Sequence, residues 1–275
     1  MSRLTELFSR LKRQQKRALI PYVVAGDPSP SGTVQLLHRL VAAGADVLEV
    51  GVPFSDPMSE GLVIQLGHER ALANGINLRA VLDLVREFRR DNTETPVVLM
   101  GYANPIERFG YDAFAEASAD AGVDGLITVD LPPEEVERLD SALMRVGIDN
   151  ILLISPTTAN ERIKTIVGRA RGFIYYVAVK GVTGSGQLDV DEVAERVAVI
   201  RGLTDLPIAV GFGIKDAESA QRVAGVADAV VVGSALINEM VRKSQTDVHA
   251  EEIQIHEAAV KLLERIRVGV DSSHL

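Results

Sequence analysis

The chain has 275 residues, of which 47% are hydrophobic and 24% charged, a composition typical of a globular protein with a sizeable core. Its formal net charge of −9 and its aromatic content of only 4% argue against nucleic-acid binding, because an acidic surface repels phosphates and few rings are present to stack on bases. The chain has no cysteine and no uninterrupted apolar run of membrane-spanning length, so we expect a cytoplasmic protein without disulfides, thiolate metal sites or membrane association.

The predicted strands are short, nearly apolar runs that alternate with longer helical patterns. This alternation is typical of βαβ units around a parallel sheet. The eight predicted strands cover residues 19–24, 47–50, 96–100, 125–129, 151–154, 173–177, 207–210 and 229–232. Eight such units close into a barrel, so we predict one α/β domain, a (β/α)8 TIM barrel over residues 1–275, with an open doubly wound sheet as the alternative.

Extra helices are expected outside the eight repeating units. Before the first strand, a helix of about residues 2–14 carries four apolar side chains on one face, Leu4, Leu7, Phe8 and Leu11. We interpret it as a helix packed over the bottom of the barrel; a helix on a membrane surface is the alternative, since a basic stretch follows at 12–17. Added helices are predicted in the loops after strands two and eight, the last over about residues 250–267, with a loose tail at 268–275.

The approaches to four strands share a glycine that is followed within three residues by an aspartate. The four glycines are Gly44, Gly122, Gly147 and Gly225. Each ends a helical pattern, where glycine supplies a left-handed C-terminal cap. This recurrence marks the bottom of the barrel, so the residues directly after each strand, at the opposite end, are where function is expected.

Two glycine-bearing turns, Gly211-Phe212-Gly213 and Gly233-Ser234, follow strands seven and eight. Such turns let backbone N–H groups approach an anion, and a helix N-terminus adds partial positive charge, so we predict a phosphate-binding site; the alternative is that the glycines merely form tight turns. The loop after strand six, residues 180–187, is rich in small residues and is expected to close over a ligand. Within it, Lys180 invites a Schiff-base hypothesis, but an ordinary exposed lysine is favoured.

Glu49 lies inside the second predicted strand, where alternation points its side chain into the barrel near the rim. Burial raises the pKa of a carboxyl group, and a carboxyl that both gives and takes a proton near neutrality is what a general acid/base requires. The alternative is a structural carboxylate satisfied by backbone donors or an arginine. Asp56 and Glu60 in the following loop are both candidates for a second carboxylate, and spacing alone does not establish which one converges on Glu49.

The histidines offer no candidate at a strand end. Two fall in helical patterns and three in the C-terminal region: His38, His68, His249, His256 and His274. We therefore predict neither a catalytic histidine nor a metal site. Asp130, after the fourth strand, is interpreted as a helix-capping or loop-fixing residue.

Five strand-end segments together resemble the tryptophan synthase alpha chain family. They are residues 21–28, 48–57, 130–132, 181–184 and 211–213, and the resemblance spans roughly residues 4–267. The Pro-Phe-Ser-Asp-Pro loop after the second strand is its most specific motif. The resemblance implies a carbon–carbon lyase of tryptophan biosynthesis, which cleaves indole-3-glycerol phosphate to indole and glyceraldehyde 3-phosphate without a cofactor or metal in this chain.

The resemblance also implies roles for individual residues. Glu49 would transfer protons, Glu60 would interact with the indole N–H, and Tyr175 would help position the substrate. The candidates to wall the apolar indole pocket, each of which would equally suit the barrel core, are Tyr22, Met100, Tyr102, Ile127 and Leu153. The candidates to hold the glycerol phosphate end are Thr183, Gly184, Gly211, Phe212, Gly213, Gly233 and Ser234.

A partner is implied as well, the pyridoxal-phosphate-dependent beta chain of an alpha2beta2 heterotetramer. The beta chain would receive indole through a tunnel and activate the alpha chain by ordering its loops. The loop after strand two would form much of the contact, through Pro53, Phe54, Asp56, Pro57 and Met58.

The sequence departs from the family pattern at residues 59–62, where Ser-Glu-Gly-Leu replaces the usual segment with Asp-Gly-Pro. Glutamate keeps the charge of aspartate but lengthens the side chain, and the loss of proline loosens the loop, so a slowed reaction is expected. Two hypotheses follow, a working lyase and a catalytically weak subunit that mainly binds and activates the beta chain. A third is a different phosphate-binding barrel, such as an isomerase or an aldolase.

Overall fold

The computed structural model describes residues 2–178, 190–211, 213–247 and 251–273. Eight parallel strands form a closed barrel in chain order, so the predicted TIM barrel is confirmed and the open sheet is wrong. The strands are β1 Ala18–Val24, β2 Leu48–Gly51, β3 Val97–Gly101, β4 Gly125–Thr128, β5 Asp149–Ile154, β6 Ile174–Val177, β7 Ile208–Gly211 and β8 Ala229–Val232. Their bounds lie within two residues of the predicted ones.

Twelve helices surround the strands within the described part of the chain. They are α1 Arg3–Arg13, α2 Pro30–Ala42, α3 Leu62–Ala73, α4 Leu78–Asp91, α5 Ala103–Phe109, α6 Tyr111–Ala121, α7 Glu137–Val146, α8 Asn160–Arg169, α9 Val190–Arg201, α10 Ala217–Ala224, α11 Ser234–Thr246 and α12 Glu252–Asp271. The added helices predicted after β2 and β8 are present as the pairs α3–α4 and α11–α12. A third pair, α5–α6, follows β3 and was not predicted.

Helix α1 packs into the lower end of the barrel. Ser2 caps it by accepting a hydrogen bond from the Thr5 N–H at 3.2 Å. Its apolar face joins the inward-facing strand residues in one buried cluster, which includes Ala18, Val98 and Phe173. The interpretation of α1 as a helix over the bottom of the barrel is confirmed, and the membrane-surface alternative is wrong.

Three of the four glycines that precede strands at the bottom of the barrel form the predicted left-handed caps. Gly44, Gly122 and Gly147 have φ values of 101°, 87° and 76°, as expected for left-handed caps. Gly225 is a correction, with φ of −66°, because its N–H still bonds to Gln221 O in a continuing helical turn. In each case the chain then turns into the next strand.

The C-terminal segment is ordered further than predicted. Helix α12 ends at Asp271, so the loose tail expected from residue 268 is wrong. Gly269 lies so close to α10 that a Cβ there would come within 2.1 Å of Ala217 O, and Val270 is buried. This close approach between helices holds the last turn in place. Among the described residues, no helix is long and apolar enough to cross a membrane.

Candidate active site

Glu49 lies in the middle of β2, with Tyr22 of β1 and Val98 of β3 as its neighbours in register. Its side chain is only 1% exposed. Within the described residues, neither carboxyl oxygen has a hydrogen-bond partner. The alternative of a structural carboxylate satisfied by backbone donors or an arginine therefore finds no support there, and a buried carboxyl without a partner calls for a chemical role.

Burial, and to a lesser extent the charge of Glu60, raises the pKa of Glu49 from 4.5 to about 8. Burial also raises the pKa of Glu60, to about 7. The two carboxyl groups thus converge, a relationship that loop spacing alone left open. Near neutrality Glu49 is mainly the protonated acid, while Glu60 divides between its two forms, which is an arrangement suited to proton transfer.

Asp56, the other candidate for a second carboxylate, lies at the surface of the loop. It is exposed and accepts a hydrogen bond from its neighbour Ser55 Oγ at 2.6 Å. Asp130 accepts a hydrogen bond from the Ala103 N–H at 2.7 Å, so it fixes the start of α5. Its interpretation as a capping or loop-fixing residue is confirmed.

The loop that carries Glu60 is held by side chains from outside it. Tyr102, after β3, accepts a hydrogen bond from the Ser59 N–H at 3.1 Å, and its ring stacks on Phe54 with centroids 5.0 Å apart. Gln65 of α3 donates to Glu60 O at 2.8 Å. Tyr102, a candidate for the indole pocket, is thereby also a support for the loop.

His68 of α3 is a site residue that sequence reasoning missed. Its Nδ1 accepts a hydrogen bond from the Phe54 N–H at 3.0 Å, and its Nε2 lies 3.3 Å from Tyr22 Oη. Burial lowers the pKa of His68 to about 4, so the ring is neutral at physiological pH. The sequence signal that could have found it is its position in α3: it lies one helical turn before Ala71 and next to Gly67, and these three residues are the buried ones of this helix.

Two tyrosines fill the upper barrel, and glycines make room for them. A Cβ at Gly51 would lie 2.3 Å from Tyr22 Oη, and one at Gly211 would lie 2.5 Å from Tyr175 Oη. Burial, together with the charges of Glu49 and Glu60, raises the pKa of both tyrosines well above 10. Both phenols are therefore neutral and able to donate. The absence of a side chain at Gly211 therefore makes room for Tyr175, whether or not this glycine also contacts a phosphate.

The apolar candidates for the pocket differ in exposure. Ile127 is fully buried in the barrel interior, whereas Met100 and Leu153 are only partly buried against the same cluster. Gly233 precedes Ser234, the first residue of α11, at the mouth end of the barrel, and Gly213 follows β7 with φ of 72°. Their backbone N–H groups are those expected to meet an anion.

Several predicted residues lie outside the described part of the chain. They are Lys180, Thr183, Gly184 and Phe212. Across the described ranges, no three histidine, aspartate or glutamate side chains come together as ligands for a metal ion.

The predicted interface residues divide by exposure. Pro53 and Pro57 are buried and Phe54 is half-buried, whereas Asp56 is exposed and Met58 is 82% exposed. Two further leucines, Leu62 at 69% and Leu66 at 41%, extend this exposed apolar surface along α3. Met58, Leu62 and Leu66 form what we call the loop-two apolar patch.

Comparison with known proteins gives a consistent result over nearly the full chain. The family model described as tryptophan synthase alpha chain matches residues 8–266. The tryptophan synthase alpha chain of Marinobacter nauticus is 53% identical, covering 99% of both chains, and that of Thioalkalivibrio sulfidiphilus is 58% identical over 89% of this chain and 92% of its own. The crystal structure of the tryptophan synthase alpha subunit from Legionella pneumophila matches with a TM-score of 0.90 at 45% identity, covering 98% of this chain and 99% of that one.

Proposed function

The chain belongs to the tryptophan synthase alpha chain family and is therefore a carbon–carbon lyase, and we propose that Glu49 performs the proton transfers of its reaction while Glu60 stabilises the cationic intermediate. The alpha reaction of this family is the retro-aldol cleavage of indole-3-glycerol phosphate. The observation that carries the proposal is the buried, unpartnered carboxyl group of Glu49.

The cleavage needs a proton at one carbon and the loss of another from a hydroxyl group. Glu49, protonated near neutrality, donates to C3 of the indole ring, and the ring becomes cationic. The resulting carboxylate removes the proton of the side-chain hydroxyl group. The bond between C3 and the side chain then breaks, its electron pair returns to the ring, and the oxygen becomes the carbonyl of glyceraldehyde 3-phosphate.

Glu60 stabilises the cationic ring in this scheme. Its ionised form accepts a hydrogen bond from the indole N–H, and a carboxylate in a water-poor pocket interacts strongly with positive charge that develops nearby. The neutral phenol of Tyr175, whose hydroxyl group lies against Gly211, would help to position the substrate.

The indole ring of the substrate would lie at an apolar end of the site, and its phosphate at a polar end. Met100 and Leu153, incompletely covered by the barrel interior, wall the indole ring. The N-terminus of α11 at Gly233 and Ser234, with the turn at Gly213, receives the phosphate. The scheme uses no cofactor in this chain; pyridoxal phosphate belongs to the partner.

We further propose that the partner is a tryptophan synthase beta chain, bound in an alpha2beta2 complex in the cytoplasm. The loop-two apolar patch supports this, since three large apolar side chains lie exposed beside the loop that carries Glu60. A partner seated there would contact the catalytic loop directly, which accounts for activation on binding.

The deciding experiment measures indole release from indole-3-glycerol phosphate, with and without a beta chain. We expect turnover that rises when the beta chain is present. No turnover in either case would overturn the lyase assignment of these residues and favour a subunit kept for binding its partner. Activity largely retained in Glu49→Gln would instead favour a different phosphate-binding barrel.

A further inference from the structure

His68 links the loop that carries Glu60 to strand β1. One ring nitrogen receives the N–H of Phe54, near the start of the loop that carries Glu60, at 3.0 Å. The other lies 3.3 Å from the hydroxyl oxygen of Tyr22 on β1. The side chain is 2% exposed, so water does not compete for either contact.

The contact with Phe54 fixes how the imidazole is protonated. A backbone N–H only donates, so Nδ1 must be the acceptor and the proton of the neutral ring lies on Nε2. Burial lowers the pKa of His68 to about 4, which keeps the ring neutral. Nε2–H then donates to Tyr22 Oη, and the hydroxyl proton of Tyr22 remains available for an acceptor in the pocket.

The charge that acts most strongly on the Tyr22 hydroxyl is that of Glu60. Burial raises the pKa of Tyr22, and the charges of Glu60 and then Glu49 raise it further. Gly51 and Gly233 allow the ring to approach, since a Cβ at Gly233 would lie 3.1 Å from Tyr22 Cδ1. The phenol therefore lies against His68 and against the backbone at Gly51 and Gly233, within range of the charges of both carboxyl groups.

Helix α3 is rigid enough to act as the fixed element. Arg70, two residues beyond His68, makes a bidentate ion pair with Asp27 after β1, at 2.7 and 2.9 Å. A Cβ at Gly67 would lie 3.1 Å from Asp27 Oδ2, so the helix packs closely against the end of β1. His68 therefore projects from a position fixed relative to Tyr22.

We propose that His68 is a positioning residue for the lyase reaction: it orients the Tyr22 hydroxyl by donating to it and fixes the start of the loop at the Phe54 N–H, and so sets where Glu60 lies relative to Glu49. The inference rests on the proposed function of these two carboxyl groups.

The kinetic test compares His68→Asn, Tyr22→Phe and the double variant, with His38→Asn in the outer helical layer as the matched control. Asparagine still accepts from the Phe54 N–H but does not reach Tyr22, so it removes one contact of two. We expect each single variant to lower kcat roughly tenfold with a smaller change in KM, and the double variant to lower it no further, because both changes break one interaction.

A purely structural role predicts a different result. It would lower the thermal midpoint of His68→Asn while leaving kcat native, or give effects of Tyr22→Phe and His68→Asn that multiply. Either outcome would overturn the inference. If native protein turns over and Glu49→Gln does not, the proposed function stands whatever His68 does, so the two failures are distinguishable.

A second measurement needs no turnover. Nitrogen NMR of the imidazole in the full-length protein reports the tautomer, and we expect the Nε2–H form of His68 throughout the neutral range, with the Nε2 signal shifted in Tyr22→Phe. An Nδ1–H tautomer, or a signal unaffected by Tyr22→Phe, would contradict the inference even if the native chain has no lyase activity.

Discussion

The carboxyl group of Glu60 lies close enough to that of Glu49 for its charge to raise the pKa of Glu49, although eleven positions and a loop separate them in the chain. The loop brings them together because Tyr102, Gln65 and His68 each hold a backbone group of it. In the proposed reaction Glu49, with its raised pKa, serves as both proton donor and proton acceptor, and Glu60 stabilises the cationic ring.

Glu49→Gln is expected to abolish indole release, by about 10²- to 10⁴-fold or more, because the amide does not exchange a proton with C3. The fold should be retained, since the substitution replaces a buried carboxyl that has no hydrogen-bond partner among the described residues. Steady-state assays and thermal unfolding of the same preparation check both statements. An inactive but unfolded variant would leave the role of Glu49 to be tested by Glu49→Asp.

Stability should fall as pH rises, and Glu49 should be one cause. Its folded-state pKa of about 8 exceeds its ordinary value of 4.5, so the folded protein retains a proton that the unfolded chain loses. The resulting stability is complete below about pH 4.5 and is lost as pH approaches about 8. Glu60 contributes in the same direction up to about pH 7.

Urea unfolding across this pH range measures the effect. Glu49→Gln should flatten the decline in free energy of unfolding, most clearly between pH 7 and 8, where the titration of Glu60 is largely complete. A decline of unchanged slope in the variant would show that Glu49 does not hold a proton in the folded state.

Glu60→Gln is expected to lower kcat by roughly 10²-fold, because the neutral amide does not stabilise the cationic ring. It should also shift to lower pH the part of the pH–rate profile that reports the titration of Glu49, since the charge of Glu60 contributes to the raised pKa of Glu49. The matched control is Asp56→Asn, which changes an exposed carboxylate of the same loop; assayed without the beta chain that this residue is expected to contact, it should leave both quantities unchanged. Equal losses in the two variants would contradict the assignment.

Leu62→Pro should stabilise the protein by about 0.4–1 kcal/mol, because proline suits the first position of a helix and restricts the unfolded chain. Leu62 is that position in α3 and is 69% exposed, so little packing is lost. Combined with Glu60→Asp, it should raise kcat if the departures from the family pattern slow the reaction. No increase would remove those departures as a cause of slow turnover.

Gly211→Ala should destabilise the protein by about 1–3 kcal/mol, the usual cost of inserting a methyl group into a filled interior. The new Cβ would lie 2.5 Å from Tyr175 Oη, which must move. Tyr175→Phe in the same chain should recover part of the loss, whereas Tyr176→Phe, on the outward side of β6, should not. Denaturant unfolding of Gly211→Ala, the two single tyrosine variants and the two double variants decides, and simple additivity of Gly211→Ala with Tyr175→Phe would contradict the packing argument.

The sequence was most informative where periodicity carries the structure. The eight strands were predicted from the alternation of short apolar runs with helical patterns. The inward side chain of Glu49 was predicted from alternation within its strand, and α1 from its apolar face. The convergence of Glu60 did not, because it depends on hydrogen bonds from Tyr102 and Gln65 that no local pattern encodes. His68 was missed for a related reason: a helical pattern does not reveal which loop a side chain will meet. The packing role of Gly211 was not predicted, because its backbone and the Tyr175 side chain come close together only once the barrel has closed.

Helix α1 has a consequence for synthesis on the ribosome. The apolar face of α1 packs against inward residues of strands from both ends of the chain, including Ala18 of β1 and Val231 of β8. Its binding surface is therefore incomplete until more than 230 residues have emerged. Leu4, Leu7, Phe8 and Leu11 are made first and gain their last packing partners only when β8 has been made, so we expect them to remain incompletely buried through most of translation.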